Sequence, residues 1–313
     1  MTLNAEVSMT YALYFLIFGG MVIFPPTPTE EGVYRGLQQH RPQWLLTSPY
    51  LWKSILAAAQ QGGQSPDIAD INILLVGARA DKKILEVSKA LPRVRLYSDY
   101  GSTESGMLAM AQLGAGSPPD SFVGRLLKGV ECATFDPNTH KPLPASQKGL
   151  LGFKAPGLFD GYGLGDRATQ SECFVDGWFL TGDIGWVDDR GQLHVSGRQA
   201  NVINRGGAKF NAETIEQELM AKLNLNECCL SLVQVAGQEA LVLAVAGASS
   251  KAQATELNNR ISHLVSRELI PDHIVFMETL PRLMSGKLDR TTLNNWLASE
   301  LGTRKPLAAN TLN

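Results

Sequence analysis

Short apolar runs alternate with helix-like segments over the first third of the chain. The runs have the length of strands and cover 44–47, 71–76 and 94–98, and helical spacing covers 50–60 and 81–90 between them. Parallel strands require a crossover connection, which is usually a helix. The alternation therefore predicts a parallel β-sheet with helices on both faces.

An apolar segment precedes this pattern. Residues 9–24 predict a helix, a turn at Gly19 and Gly20, and a strand from Met21 to Phe24. The segment is short for a membrane span, which needs about 20 apolar residues, and the two glycines interrupt it. A buried helix followed by a buried strand is therefore favoured over a membrane anchor.

A change in composition near Gly114 marks a second kind of structure. Residues 114–196 are rich in glycine and proline, and short strands are predicted at 130–135, 149–155 and 191–197. Short strands separated by frequent turns are typical of antiparallel sandwiches and barrels. We therefore expect a small antiparallel β subdomain or barrel over these residues.

A separate small domain is predicted from Arg198 onward, because helices and strands mix there. The predicted elements are helices at 212–223, 255–267 and 291–300 and strands at 230–236, 241–245 and 273–277. The expected fold class is therefore α/β followed by α+β. The larger domain covers 1–197 and the small C-terminal domain covers 198–313.

The charge and cysteine content exclude several classes of function. The 313 residues carry 28 basic and 30 acidic side chains, so no basic surplus indicates nucleic-acid binding. The four cysteines form no Cys-x-x-Cys pair, and the five histidines show no zinc-binding spacing. Free cysteines without a signal peptide suit a reducing cytoplasm. Cys228 and Cys229 are expected to fill the core on opposite faces of one strand.

The segment from Asp99 to Glu104 follows a predicted strand and contains the residue types of a ligand site. Ligands bind at the carboxyl edge of the sheet in such folds. Tyr100 offers a ring for stacking on a base, and Gly101 allows close approach of the backbone to a ligand. Thr103 offers a hydroxyl for a phosphate, and Glu104 offers a hard oxygen ligand for Mg²⁺. A polar turn without a ligand has the same composition, so both interpretations stay open.

Two further charged residues lie in glycine-containing turns. Asp183 follows Thr181 and Gly182, where an aspartate usually forms a turn but also suits the hydroxyls of a ribose. Lys287 follows Gly286, where a lysine is usually solvated but also suits a site where negative charge develops. The residues alone leave these interpretations open.

The order of the motifs resembles that of one enzyme superfamily. The segments Tyr100–Glu104, Trp178–Asp183, Gly197-Arg198 and Ser285–Lys287 occur in the order found in AMP-forming adenylating enzymes. This superfamily includes acyl-CoA synthetases, adenylation domains and luciferase-like ligases. The resemblance covers nearly the whole chain.

One expected motif of that superfamily does not occur. No Ser/Thr/Gly-rich phosphate loop ending in lysine precedes Tyr100. The chain is therefore interpreted as the carboxyl-terminal part of such an enzyme. In this interpretation residues 1–197 are the remainder of the large AMP-binding domain, and residues 198–313 are the small mobile domain.

The resemblance implies a nucleotide site at these motifs. In the family the first motif holds adenine, the α-phosphate and the metal, and the later aspartate and arginine reach the ribose or the α-phosphate. The implied ATP- or AMP-binding residues are Gly77, Ala78, Asp99, Tyr100, Gly101, Ser102, Thr103, Asp183 and Arg198. The implied catalytic residues are Lys287, Thr103 and Glu104, and Glu104 is also the implied Mg²⁺ ligand.

The resemblance also implies a moving junction between the domains. Arg198 and Ala200 take the hinge positions, although the family commonly has Asp or Lys where Ala200 stands. Gly206 and Gly207 match a glycine loop that presents backbone to the pantetheine thiol of coenzyme A. Rotation about the hinge is expected to place Lys287 for the first reaction step and the glycine loop for the second.

The reaction implied by the resemblance has two steps. A carboxylate attacks the α-phosphate of ATP and releases pyrophosphate, and a thiol, commonly of coenzyme A, then displaces AMP to give a thioester. The expected cofactors are ATP and Mg²⁺, with coenzyme A as the acceptor. The expected setting is cytoplasmic fatty acid metabolism.

Two alternatives stay open at the level of sequence. One passes the acyl-adenylate to a carrier protein or an amine. The other is a nucleotide-binding remnant without turnover, which the missing phosphate loop favours. The expected partners are a small carboxylic acid, an acyl-carrier protein under the first alternative, and a missing N-terminal half. Neither nucleic acid nor an integral membrane segment is expected, and the sequence does not identify the acid.

Overall fold

The chain forms two compact units. The computed structural model describes residues 6–25, 27, 29–60, 68, 70–78, 80, 82–89, 91, 93–114, 121–161, 173–235, 237–247, 251–283 and 286–303. The first unit contains the described residues up to Ala200 together with Gly286 and Lys287. The second unit contains those from Asn201 to Leu283 and from Leu288 onward.

The described helices and strands follow the predicted alternation closely. The helices are α1 Glu6–Ile17, α2 Glu30–His40, α3 Pro49–Gln60, α4 Lys82–Lys89, α5 Ala212–Leu223, α6 Lys251–Ser262 and α7 Arg290–Thr303. The strands are β1 Trp44–Thr47, β2 Ile71–Leu75, β3 Val94–Ser102, β4 Gly106–Leu113, β5 Phe122–Leu126, β6 Glu131–Phe135, β7 Gly149–Lys154, β8 Phe174–Val175, β9 Trp178–Val187, β10 Gln192–Arg198, β11 Val202–Arg205, β12 Ala208–Asn211, β13 Cys228–Val235, β14 Gln238–Ala246 and β15 His273–Met277.

The described strands of the first unit form one ten-stranded sheet. Their order is β1-β2-β3-β4-β5-β10-β9-β7-β6, and β8 pairs with β9. β1, β2 and β3 are parallel, which confirms the predicted parallel sheet. From β3 to β4 the pairing becomes antiparallel and stays so through the remaining strands. The glycine- and proline-rich region therefore continues the parallel sheet through hydrogen bonds.

Helices α3 and α4 bury their apolar faces against the parallel strands. Trp52 and Ile55 of α3, Ile84 of α4 and Ile73 of β2 are buried together. Trp52 Nε1 donates a hydrogen bond to Ser88 Oγ at 3.2 Å, which joins the two helices. Burial of an aliphatic side chain of this kind stabilises the fold by about 1.5–3 kcal/mol. This core fixes the ends of the parallel strands, where the candidate site lies.

The strand predicted from Met21 to Phe24 is wrong. These residues form no strand in the described part of the chain. α1 ends at Ile17, and Gly19 takes a φ of +77°, a left-handed conformation that commonly ends helices. A strand needs a neighbouring strand for its backbone hydrogen bonds, and an apolar pattern does not indicate whether such a neighbour is available.

The prediction that the first helix is buried is also wrong. Leu13, Leu16 and Ile17 of α1 are exposed by 52%, 55% and 73%. The described residues cover one side of α1, where Ser8 is buried and the Tyr11 hydroxyl contacts Asp99 of β3. Among the described helices, none is long and apolar enough to span a membrane. The first unit therefore presents a broad apolar surface, which we call the α1 surface and which is formed by Met9, Leu13, Tyr14, Phe15, Leu16, Ile17, Phe18 and Met21.

The second unit places helices on both faces of a three-stranded sheet. Its strands β13, β14 and β15 pair in that order, first antiparallel and then parallel. Leu219 of α5 and Ile261 of α6 are buried in one cluster with Cys228, and Leu297 of α7 is buried in another with Cys229. The prediction that the two cysteines fill opposite faces is therefore confirmed.

A buried ion pair joins α5 to α7 in the second unit. Arg290 Nη2 lies 2.6 Å from Glu216 Oε2, and the Leu230 amide donates to Glu216 Oε1 at 2.7 Å. Burial raises the pKa of Glu216, while Arg290 and the Leu230 amide act in the opposite direction. Each oxygen of the Glu216 carboxylate therefore accepts a hydrogen bond from a residue of the second unit.

Candidate active site

The motif at residues 99–104 forms a hairpin, which the sequence did not predict. Strand β3 continues through Ser102, and the turn Thr103–Ser105 leads into β4. A Cβ atom on Gly101 would lie 2.0 Å from the carbonyl oxygen of Gly106. The close approach that Gly101 permits is therefore made by the neighbouring strand.

Asp99 faces α1. The Tyr11 hydroxyl donates a hydrogen bond to Asp99 Oδ2 at 2.9 Å and approaches Met107 Sδ at 3.4 Å. Successive side chains of a strand point to opposite faces, so Tyr100 points away from α1. On the same strand, the Ser102 amide donates to Ser105 Oγ at 3.1 Å and tightens the turn.

Tyr100 binds Asp183 directly. The phenol hydroxyl donates to Asp183 Oδ2 at an oxygen–oxygen distance of 2.7 Å. Its ring packs on Phe153, with centroids 5.9 Å apart. Burial and the nearby Asp183 charge raise the pKa of Tyr100 well above its usual value, so the phenol keeps its proton at neutral pH.

Asp183 and Arg198 are directly opposite each other on antiparallel strands β9 and β10. Arg198 Nε lies 3.3 Å from Asp183 Oδ1, and their side chains are 59% and 13% exposed. The Asp183 amide donates to Thr181 Oγ1 at 3.2 Å, and Gly182 between them has a φ of +77°. These three residues lie within β9, where its pairing with β7 is irregular, so the aspartate is held by an irregular strand segment and not by the predicted turn.

Lys287 lies against Gly77, two residues after the end of β2. A Cβ atom on Gly77 would lie 2.9 Å from Lys287 Cε. Partial loss of hydration lowers the pKa of Lys287, as does Arg198, whereas Asp183 and Glu104 raise it. The charges of Arg198, Asp183 and Glu104 therefore act on the Lys287 ammonium. The lysine residue as a whole is exposed.

Glu104 occupies the turn between β3 and β4. Its carbonyl oxygen accepts a hydrogen bond from the Phe159 amide at 2.9 Å, which anchors the turn. Mg²⁺ is commonly bound through one or two carboxylates, with phosphate and water oxygens completing its shell. A single half-buried glutamate beside a predicted phosphate position fits this requirement. No cluster of three or more His, Cys, Asp or Glu able to hold a metal occurs among the described residues.

Two other predicted nucleotide contacts lie near these residues in the chain. Ala78 is exposed beside Gly77, immediately after β2, and Thr103 is exposed in the turn after β3. Ser285, which belongs to the Ser285–Lys287 motif, lies outside the described residues.

The predicted coenzyme A residues belong to the second unit. Gly206 and Gly207 connect β11 to β12 as a two-residue hairpin turn, with φ values of +61° and +81°. Positive φ at both positions is the requirement of a type I′ turn, which glycine meets without strain. The division between the two units falls directly after Ala200, a predicted hinge residue. The hinge motion and the coenzyme A contact stay predictions.

Sequence reasoning missed several residues that hold the site together. Tyr11 and Phe153 contact Asp99 and Tyr100 from distant positions in the chain. Ser48 packs closely against Gly286: a Cβ atom on that glycine would lie 3.0 Å from Ser48 Oγ. Each of these contacts joins segments far apart in sequence, so no local pattern indicates them.

A carboxylate, a guanidinium and a lysine ammonium thus lie near the carboxyl edge of the parallel strands, where open α/β sheets bind their ligands. The AMP-binding enzyme family matches residues 3–163, just over half of the chain. The chain therefore belongs to the AMP-binding enzyme family. The family resemblance drawn from the motifs is confirmed.

The curated relatives that match the chain include several ligases. The medium-chain fatty-acid–CoA ligase of Escherichia coli is 27% identical over 74% of this chain and 41% of its own length. The mitochondrial acyl-CoA synthetase short-chain family member 3 of Rattus norvegicus is 28% identical over 86% and 42%. The 4-coumarate–CoA ligase 2 of Nicotiana tabacum is 26% identical over 75% and 45%. The chain thus spans less than half the length of these relatives.

Solved structures with the same fold cover most of the chain. ATP-bound MatB from Rhodopseudomonas palustris is 23% identical, with a TM-score of 0.80 over 96% of this chain and 60% of that one. The O-succinylbenzoate coenzyme A synthetase of Bacillus subtilis, in complex with ATP and magnesium, is 21% identical, with a TM-score of 0.76 over 94% and 60%. At these identities the likeness establishes the fold alone.

Proposed function

We propose that the chain takes part in the AMP-forming activation of a carboxylic acid, followed by transfer of the acyl group to coenzyme A. The main support is the gathering of Asp183, Arg198 and Lys287 near Tyr100 and Glu104. These five residues come from four separate motifs of the family. Their spatial proximity is what a single nucleotide site requires.

In this proposal Asp183 accepts the hydroxyls of the ribose. A carboxylate has about four lone-pair positions, so it accepts several donors at once. Hydrogen bonds to a charged group contribute about 1.5–3 kcal/mol each. Arg198 lies beside the same carboxylate and is exposed enough to turn toward the α-phosphate. The pair therefore suits the ribose–phosphate part of ATP and AMP.

Lys287 stabilises charge in the first step. A carboxylate oxygen of the acid attacks the α-phosphorus of ATP, and the bond to the pyrophosphate oxygen breaks. A positioned ammonium lowers the barrier where negative charge builds up on the phosphoryl oxygens. Glu104 would hold Mg²⁺, which supplies further charge neutralisation when bound. Thr103 would donate its hydroxyl to the phosphate.

The second step belongs to the small domain in this proposal. A thiolate attacks the acyl carbonyl, and the bond to AMP breaks to leave a thioester. The type I′ turn at Gly206 and Gly207 exposes backbone without side chains, which suits contact with a narrow pantetheine arm. A rotation about Arg198 and Ala200 would bring this turn to the acyl-adenylate.

The α1 surface supports a role for additional polypeptide. Monomeric proteins rarely expose contiguous apolar patches larger than a few hundred Å². The matched ligases contain a further half or more of their length that this chain does not span. We therefore propose that polypeptide corresponding to that part covers the α1 surface and supplies the groups that hold the β- and γ-phosphates.

We further propose a class of acid substrate and a compartment for this chain. Relatives named for medium-chain fatty acids and for 4-coumarate make fatty and aromatic acids the first candidates. Four free cysteines among the described residues suit a reducing compartment such as the cytoplasm.

ATP–pyrophosphate exchange with a panel of fatty and aromatic acids tests the first step. The chain is assayed alone and together with the separately expressed remainder of the E. coli medium-chain ligase. We expect the chain alone to bind AMP with little exchange, and the combination to show acid-dependent exchange that Lys287→Ala abolishes. Absence of both AMP binding and exchange would overturn the proposal.

The acceptor is tested separately with a supplied acyl-adenylate. Coenzyme A, a phosphopantetheinyl carrier protein and a primary amine are offered in parallel, and product formation is followed by mass spectrometry. Preferential thioester formation with coenzyme A is the expected result. Preference for the carrier or the amine would replace this acceptor assignment without affecting the adenylation step.

A further inference from the structure

The Tyr100 hydroxyl donates its hydrogen bond to the carboxylate of Asp183. Resting on the proposed function, we propose that Tyr100 is a positioning residue, whose hydroxyl holds Asp183 in the orientation that accepts the ribose diol. The hydroxyl lies 2.7 Å from Asp183 Oδ2, and Arg198 Nε lies 3.3 Å from Oδ1. The two donors therefore approach the carboxylate at different oxygens.

The contact spans a large distance in the sheet. Tyr100 lies on β3 and Asp183 on β9, and β4, β5 and β10 separate them in the strand order. Neighbouring strands are about 4.8 Å apart, so a flat sheet would hold the two strands roughly 19 Å apart. The sheet must therefore curl to bring the phenol onto the carboxylate. A structural clasp and a positioning residue are both consistent with that curl, so the test must separate them.

The surroundings of Tyr100 support a positioning role. Its half-buried ring packs on Phe153, against a buried cluster that also contains Leu108 and Leu151. This packing fixes the ring, and the fixed ring aims the hydroxyl. A carboxylate held at one oxygen loses rotational freedom before the ligand arrives, which lowers the entropic cost of binding two ribose hydroxyls. This gain in affinity is therefore expected only for a ligand that carries both ribose hydroxyls.

The experiment compares two nucleotides on the full 313-residue chain. Affinities for AMP and for 2′,3′-dideoxy-AMP are measured by calorimetry for the parent and for Tyr100→Phe, which keeps the ring and removes the hydroxyl. We expect the substitution to weaken AMP binding about fivefold or more, since a hydrogen bond to a charged group is involved. Binding of dideoxy-AMP should stay unchanged.

A matched control removes a different tyrosine hydroxyl from the same strand. Tyr97 lies on β3, and its ring packs on Trp44 at 5.3 Å. Tyr97→Phe should leave both affinities at the parent values. Equal weakening for the two nucleotides in Tyr100→Phe would overturn the positioning role and leave the proposed function standing. A parent that does not distinguish AMP from dideoxy-AMP, or does not bind AMP, would overturn the ribose site itself and this inference with it.

A second measurement covers the case in which Tyr100→Phe fails to fold. The chain is labelled with ring-¹³C tyrosine, and the Cζ signals of the seven tyrosines are compared between the parent and Asp183→Asn. One tyrosine signal is expected to move, because its hydroxyl loses a charged acceptor. Asp189→Asn, in the exposed turn between β9 and β10, should move none. An unchanged spectrum in Asp183→Asn would overturn the proposal.

Discussion

Two of the carboxylate–guanidinium pairs, Asp183–Arg198 in the first unit and Glu216–Arg290 in the second, have different surroundings. In the first unit Arg198 Nε lies 3.3 Å from Asp183 Oδ1, and the arginine side chain is 59% exposed. In the second unit Arg290 Nη2 lies 2.6 Å from Glu216 Oε2, with side-chain exposures of 21% and 7%. The second pair is shorter and lies in the interior.

This difference separates a structural pair from one suited to a ligand. Breaking a buried pair leaves an uncompensated charge where water cannot reach it, so such a pair tolerates little change. An exposed pair contributes about 0–1 kcal/mol and rearranges at low cost. We therefore expect Arg198, whose side chain is 59% exposed, to turn toward a phosphate at a lower cost to the fold than Arg290 would. The following predictions test the contrast.

The largest expected effect is on the buried pair. Glu216→Ala leaves the Arg290 charge and the Leu230 amide without their carboxylate partner, so we expect the free energy of unfolding of the second unit to fall by about 3–5 kcal/mol. Urea unfolding measures this value. Glu218→Ala, on the same helix in an exposed pair with Lys222, is the control, with an expected change below about 1 kcal/mol. Similar losses of stability in both variants would contradict the conclusion that the buried pair contributes more than an exposed pair.

The next effect concerns Lys287 and is on catalysis. In an assembly that is competent for exchange, Lys287→Ala should slow acyl-adenylate formation about a hundredfold, in the range known for loss of one positioned donor. Thioester formation from a supplied acyl-adenylate should be largely spared. Single-turnover assays of each half-reaction give the comparison, with Lys222→Ala as the surface control. Equal losses in both half-reactions would remove Lys287 from the first step.

A smaller effect is expected when the Asp183–Arg198 pair is broken from its exposed arginine side. Arg198→Ala should change the free energy of unfolding of the first unit by less than about 1 kcal/mol, because the arginine is mostly in water. Thermal or urea unfolding measures this value. A loss as large as that of Glu216→Ala would mean that the Asp183–Arg198 pair is structural.

The smallest effect is on pH dependence. Lys287 must be protonated to stabilise negative charge, and its pKa is lowered from the usual 10.5 by partial burial and by Arg198. Adenylation should therefore decline as pH rises, beginning below the range of an ordinary lysine. Arg198→Gln removes a repulsive charge and should move this decline to higher pH. A pH–rate profile that stays flat up to the usual lysine range would contradict the assignment.

Much of the fold follows from local patterns in the sequence. β1, β2 and α5 begin and end within one residue of their predicted bounds, since apolar spacing and the Asn211 cap of α5 define them. The burial of α1 was predicted wrongly because apolar residues indicate a need for cover and do not identify what provides it. Helix α6 also lies about four residues earlier than predicted.

The candidate site was predictable in its residue types and less so in its geometry. Motif order identified Asp183 and Lys287, whose roles remain proposals. The hairpin at Thr103 and the bond from Tyr100 to Asp183 depend on the pairing and curl of strands far apart in sequence. Such contacts are set by tertiary packing, so local propensity carries no signal for them.

The most direct test of the account is a calorimetric titration of AMP into the 313-residue chain and into Asp183→Ala. Asp189→Ala, in the adjoining exposed turn, serves as the control. We expect one-site binding to the parent and the control, and binding at least about tenfold weaker in Asp183→Ala, because hydrogen bonds to the charged carboxylate are lost. Unchanged AMP affinity in Asp183→Ala would contradict the central claim that this carboxylate belongs to a nucleotide site.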